Sequence, residues 1–227
     1  MLVPFGQNLY VADGPTVSFF GIPYPTRMAV ARLLSGQIWV WSPIALTKEL
    51  AGAVEALGPV GHIVSPNKLH HLFLPEWKQH WPDARLYAPP GLARKKKQLH
   101  FDAELGDNPD GAWLTDIDQA VFRGSFALVE VAFFHRASRT AIFGDLIQRF
   151  PESAAMGFKG LIMRLGHIVG PHGSTPGDWR LSFLSRELAR AARRRVLDWK
   201  PQRLLIAHGD CATTGATEII ATSLSWI

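Results

Sequence analysis

Short apolar runs, broken at Gly, Pro, Asn and Asp, fill the first part of the chain and predict strands. Residues 7–11 end at Asp13-Gly14-Pro15 and residues 16–20 follow at once, so a hairpin-like pair is expected there. A second pair is expected from residues 28–34 and 37–41, joined across Ser35-Gly36. Thr47 can cap a helix that runs to Leu57, where Gly58-Pro59 stops it. Residues 62–64 make a short apolar strand that ends in the polar loop Ser65-Pro66-Asn67-Lys68, and Pro75 suits the first turn of a short helix.

Residues 85–88 read as the next strand, followed across Pro89-Pro90-Gly91 by a basic helix ending near Gln98. Residues 102–116 are acidic and turn-rich and read as a surface connection. Strand signals return at 120–123, 126–134 and 139–143. A long helix is expected from about Pro176 to Trp199, then a strand at 203–206 and a closing helix from about Thr214. Within the long helix Leu181, Leu184, Leu188, Ala191, Ala192 and Val196 recur at helical spacing. Strands come in two batches, each followed by helices, which suits two sheets covered by helices rather than one alternating parallel sheet.

Length and composition narrow this picture. A chain of 227 residues with 47% hydrophobic and 19% charged residues suits one large globular domain, residues 1–227, and argues against disorder. No apolar run approaches the roughly 18 residues that span a bilayer, and Met1-Leu2-Val3-Pro4-Phe5 lacks the basic start of a signal peptide. A cytoplasmic protein without membrane partners is therefore expected. The single cysteine excludes an intrachain disulfide and a four-thiolate zinc site. Lys+Arg 24 against Asp+Glu 19 leaves a net charge of +5, concentrated in Arg94-Lys95-Lys96-Lys97 and in Arg186, Arg190, Arg193, Arg194 and Arg195. Neither run interleaves the aromatics that stack bases, so both read as solvated faces and nucleic-acid binding is the weakest of the readings.

The chemistry concentrates where strands end. His70-His71 follow the strand 62–64 through a five-residue loop, His135 ends one strand, Gly144-Asp145 another, and His208-Gly209-Asp210 a third. Four strand-to-loop junctions thus each deliver an imidazole or carboxylate, and such a set suits zinc, iron or manganese. His62 lies within a strand, His80 and His100 among surface-like residues, and His167 and His172 in a glycine-rich loop. No G-x-S-x-G elbow, P-loop or G-x-G-x-x-G is present. Cys211 follows His208 closely, but a thiol nucleophile needs an adjacent base, and a small packed side chain is the simpler reading.

This order of motifs resembles the metallo-β-lactamase superfamily, from Leu9-Tyr10-Val11 to the closing helix. Phe134-His135, Gly144-Asp145-Leu146-Ile147 and Ala207-His208-Gly209 look like the superfamily's last three elements. Thr26-Arg27-Met28, Ser42-Pro43, Pro66-Asn67 with His70-His71-Leu72-Phe73, Pro89-Pro90-Gly91-Leu92 and His135-Arg136-x-Ser138-Arg139-Thr140 look more narrowly like an uncharacterised bacterial domain-of-unknown-function family within it. The resemblance implies a four-layer αββα sandwich of the α/β (α+β) class. It also exposes a departure. Laid against the superfamily's H-x-H-x-D-H, the segment 66–71 has Pro66 and Lys68 for the first two histidines and His70 for the carboxylate, and keeps only His71.

What the resemblance then implies is a reduced, mononuclear site. His70, His71, Asp145 and His208 are the candidate ligands of one divalent ion, zinc first, with iron or manganese as alternatives. Asp145 and His135 are the candidate catalytic residues, His135 as a proton shuttle or as a group that polarises the substrate. Asn67, Lys68, Arg136 and Arg139 are candidate lining residues. Lys68 either fills the vacated first-metal position or stands as an ordinary loop lysine, and Arg136 and Arg139 either contact an anion or shape a hairpin turn. The expected function is hydrolysis of an ester, lactone or amide bond. The alternative is a non-catalytic domain that binds a small anionic ligand or a protein partner. Four protein ligands would close a zinc site, an arrangement usual for structural zinc.

Overall fold

The computed structural model describes residues 1–19 and 22–227, so Phe20 of the expected strand 16–20 lies outside the described residues. The chain divides into two compact units, residues 1–119 with 135–138 and residues 120–134 with 139–227.

The first unit is built on a seven-stranded sheet. Its strands are neighbours in the order β1 (Val3–Gly6), β2 (Leu9–Asp13), β5 (Arg27–Arg32), β6 (Ile38–Trp41), β7 (Val60–Val64), β8 (Arg85–Ala88) and β9 (Ala103–Glu104). The pairings β1–β2, β2–β5 and β5–β6 are antiparallel, and those from β6 to β9 are parallel. Parallel strands end at the same edge, so the loops that begin at Ser42, Ser65 and Pro89 emerge side by side. The expected pairing of residues 7–11 with 16–20 is not made. β2 pairs instead with β5, whose Met28, Ala29, Val30 and Ala31 are fully buried, while β3 (Val17–Phe19) pairs with β4 (Ile22–Tyr24) as a separate hairpin. The long apolar β5 offers more buried surface than a three-residue neighbour, and that burial outweighs chain proximity.

Met28, Val30, Ile38, Val40, Ile63 and Leu86 pack with Leu50 and Val54 of α1 (Lys48–Glu55) and with Leu74 and Trp77 of α2 (Leu74–His80). Thr47 caps α1 as expected, its Oγ1 accepting from the Leu50 N–H at 3.2 Å, and Pro75 lies in the first turn of α2. The basic helix α3 is shorter than its sequence suggests and spans Leu92–Lys95. The expected connection 102–116 contains β9 at its start.

The second unit holds most of a four-stranded sheet with the order β10 (Ile117–Phe122), β11 (Glu130–His135), β12 (Thr140–Phe143) and β13 (Arg203–Ile206). Its helices are α4 (Gly157–Leu165), which the sequence pattern did not anticipate, α5 (Gly177–Leu181), α6 (Glu187–Asp198) and α7 (Ala216–Ser223). Phe122, Ala132, Phe143, Leu204 and Ile206 of the sheet pack with Ala189, Ala192, Val196 and Ile220 of α6 and α7.

The expected helix from Pro176 to Trp199 is two helices. Residues between them pair with a distant loop instead: Phe126 N–H donates to Ser182 O, Leu184 N–H donates to Gly124 O, and the Ser125 and Ser182 hydroxyls lie 2.5 Å apart. The apolar stripe is correspondingly cut, and Leu181 and Leu184 are 84% and 81% exposed. Among the described residues no helix is long and apolar enough to cross a membrane.

Candidate metal centre

In the second unit, β12 and β13 are parallel neighbours with Phe143 opposite Ile206. Asp145 and His208 each follow that register by two residues, so both leave the sheet at the same edge. They meet there: His208 Nε2 lies 3.1 Å from Asp145 Oδ1, with both side chains nearly buried. Two ligands bonded at about 2.0–2.2 Å around a tetrahedral ion stand roughly 3.3 Å apart, so this pair has the chemistry and the spacing of adjacent ligands.

Each partner is held by a residue the sequence reading missed. Glu130, at the start of β11, is fully buried. Its carboxylate accepts the backbone N–H groups of Gly144 at 2.9 Å, Asp145 at 2.7 Å and Leu146 at 3.2 and 3.3 Å. The signal was available as one acidic residue inside the apolar run Leu128-Val129-Glu130-Val131-Ala132. The His208 loop is held by Arg149, whose guanidinium donates to the carbonyls of Pro171, Asp210 and Cys211 at 2.6, 2.7 and 3.1 Å. Asp210 N–H returns a bond to Arg149 O. Gly209 has φ +100°, and a Cβ there would stand 2.0 Å from Arg149 O.

In the first unit, His70 and His71 lie in the loop between β7 and α2, which internal bonds make rigid. Ser65 Oγ donates to Asn67 O and His70 O, and the fully buried Asn67 accepts the Leu69 N–H at 2.8 Å. Asn67 therefore shapes this loop. Ser42, with φ +51° at the end of β6, donates its hydroxyl to Arg27 O at 3.1 Å and lies 2.6 Å from His70 Nδ1. Ser42 therefore holds the His70 ring by its Nδ1 edge, the supporting contact usual for a ligating imidazole. His71 is fixed likewise, its Nδ1–H donating to Leu69 O at 3.0 Å. Burial pushes the His71 pKa down, opposed by the Leu69 bond, and the charges of Lys96, Lys95 and His70 lower it further.

His135 is almost completely buried. Ser138 N–H donates to its Nδ1 at 3.4 Å, so Nδ1 accepts and the neutral ring carries its hydrogen on Nε2. The Ser138 hydroxyl lies 2.7 Å from the same Nδ1. Burial pushes the His135 pKa down to about 4, and only the charge of Asp116 opposes it. At neutral pH this group is a hydrogen-bond donor and a very weak base.

Arg136 is paired with Asp118 at 2.9 Å, so its charge is already met. Arg139 turns the chain with φ +51° and donates to Lys200 O at 2.6 Å. Arg136 thus ties the turn's start to β10, and Arg139 takes the left-handed position within the turn. Lys68 lies over Gly91, where a Cβ would meet its Cε at 2.9 Å and its Nζ at 3.0 Å. Of the remaining candidates, His62 is buried against Gln37, Tyr87 and Trp113, and His80 faces Glu55. Cys211 Sγ donates to Ile206 O at 3.8 Å.

Comparison with known proteins agrees with this architecture. The family model described as "Domain of unknown function (DUF4336)" matches residues 16–159. A search of the curated proteins found no match. Among solved structures, a metallo-β-lactamase from Hirschia baltica aligns with a TM-score of 0.65 and 13% identity, covering 100% of this chain and 96% of its own. One from Pontibacter korlensis gives 0.66 and 11%, covering 100% and 97%. A metallo-β-lactamase from Pseudomonas aeruginosa in its mono-zinc form gives 0.63 and 10%, covering 98% and 93%. The chain therefore has the metallo-β-lactamase fold.

Proposed function

The chain belongs to the DUF4336 family, and from its fold and donor chemistry we propose a metal-dependent hydrolase with a mononuclear site, acting on an ester, lactone or amide bond. The observation that carries this reading is the Asp145–His208 pair, a carboxylate and an imidazole 3.1 Å apart at the ends of two parallel strands. The proposed donors in the second unit are Asp145 and His208, and His70 and His71, each with its Nδ1 bonded within the first unit, are the further donors proposed from the sequence. The Pseudomonas aeruginosa relative, crystallised in a mono-zinc form, is precedent for one ion in this fold.

The residues fit a divalent ion. Carboxylate and imidazole are the donors zinc takes, and a catalytic zinc site keeps one position open for water or substrate. When bound, the ion supplies Lewis acidity toward a carbonyl oxygen and makes water a better nucleophile. The chain's own groups do the rest. Ser42 holds His70 by its Nδ1, Glu130 holds the Asp145 backbone, and Arg149 holds the His208 loop. His135, neutral with hydrogen on Nε2, serves as a donor that polarises substrate rather than as a proton shuttle.

Metal analysis of the purified protein tests the proposal. One equivalent of divalent metal is expected, lost in Asp145→Ala and His208→Ala while folding is retained. A folded wild-type protein that takes up no metal from a zinc, iron or manganese solution overturns it.

A further inference from the structure

Two cations of the first unit converge on one point of the fold. Gly91, at φ +80° between β8 and α3, has no side chain, and the end of the Lys68 side chain lies beside it. The position a Cβ would take there is 3.0 Å from Lys68 Nζ and 3.6 Å from Arg94 Nη2. Neither side chain has an ion pair among the described residues. Glu104, whose carboxylate accepts the Gly91 N–H at 3.1 Å, pairs with neither. Lys95 approaches from the same helix and donates Nζ to Lys68 O at 3.3 Å.

Like charges directed at one point repel one another, and an anion between them relieves that repulsion. Long basic side chains on an unconstrained surface spread into water. Here the absent side chain at Gly91 leaves room for the Lys68 Cε and Nζ, and the hydrogen-bonded Ser65–His70 loop sets where that side chain begins. Lys68 also stands two residues before His70, on the edge where the Ser42, Ser65 and Pro89 loops emerge together.

We propose that Lys68 and Arg94 form an oxyanion-binding subsite beside the His70 loop, which takes a carboxylate or phosphate group of a small-molecule substrate. The guanidinium supplies paired donors and the ammonium a point charge, a combination suited to a planar or tetrahedral oxyanion. The catalytic meaning of the subsite rests on the hydrolase reading, but the binding itself does not. Its substrate class is therefore a hydrolysable bond in a molecule that carries a negative charge.

The test is calorimetric titration of the whole chain at low salt with inorganic phosphate and, separately, with acetate, each with and without chelator. Lys68→Gln and Arg94→Gln are compared with Arg190→Gln, an exposed cation of α6. One saturable site is expected, with affinity about tenfold lower in each of the first two variants and unchanged in Arg190→Gln. Preference for phosphate or for acetate identifies the group. Binding that persists in chelator while the metal analysis fails supports this subsite and overturns the hydrolase reading alone. Equal affinity in all variants overturns the subsite. So does a single-stranded oligonucleotide that outcompetes phosphate with a steep salt dependence, because a nucleic-acid surface then accounts for the charge.

Discussion

The backbone N–H of Asp145 donates at 2.7 Å to Oε2 of Glu130, fifteen residues earlier and fully buried. The same carboxylate takes the N–H groups of Gly144 and Leu146, so three consecutive amides converge on one acidic side chain. A turn fixed in this way leaves the Asp145 carboxylate little freedom beyond its own rotamer. Glu130→Ala leaves these donors buried without partners, at about 1–3 kcal/mol each. We expect a loss of at least about 3 kcal/mol in urea unfolding. Glu130→Gln puts an amide NH2 against a backbone N–H. It should cost about 1–3 kcal/mol and weaken zinc binding, read by competition with a chromophoric chelator, more than its stability loss accounts for.

Ser42 acts on His70 through hydrogen bonding alone. Because Ser42 Oγ lies 2.6 Å from His70 Nδ1, Ser42→Ala removes the group that holds that edge of the ring. Such supporting bonds are worth about 10–100-fold in metal affinity. We expect a fall of that size with the unfolding midpoint little changed. The 15N shifts of His70 should show one tautomer in the wild type and a mixture of tautomers in the variant. A wild-type ring already mixed would remove the argument.

How far the sequence revealed the site depends on the distance over which each residue acts. Residues 85–88 and 203–206 were legible as strands to the residue, because short apolar runs bounded by turn residues carry their own signal. The approach of Asp145 to His208 was legible because the ends of two neighbouring parallel strands deliver them to one sheet edge. Glu130 and Arg149 were not, since what they do depends on partners 14 or more residues away in the chain. The same reason hid the break at Ser182 in the expected long helix. Its leucines have correct helical spacing, but the segment gives its backbone bonds to Gly124 and Phe126. Those contacts exist only once the β10–β11 connection has folded against it.

His135 predicts a pH dependence whose sign can be worked out. Its folded pKa is pushed by burial to about 4, below the ordinary value of 6.5. Between these values the unfolded chain binds the proton and the folded chain does not, so unfolding is favoured by acid. Its contribution is fully present above about pH 6.5 and is lost as pH falls toward 4, by roughly 3 kcal/mol in all. The His135 ring resonances should stay in the neutral position down to about pH 5. His135→Gln should flatten the stability profile in that window relative to wild type. A ring that titrates near 6.5 contradicts the buried, Ser138-bonded state.

The His208 loop depends on a backbone contact that only glycine permits. Gly209 sits at φ +100° with the Arg149 carbonyl where a Cβ would be. Arg149 in turn donates to the carbonyls of Pro171, Asp210 and Cys211. Gly209→Ala adds left-handed strain of about 1–3 kcal/mol to a steric clash, and the loop must shift away from Arg149. Arg149→Ala keeps the glycine but removes the three side-chain bonds, and should cost about 2 kcal/mol. The two variants should share one signature, faster amide hydrogen exchange at Asp210 and Ala212 with protection retained at Leu204–Ile206 in β13. Exchange unchanged in both would mean that the register of β12 and β13 alone positions His208, with Arg149 contributing nothing to the site.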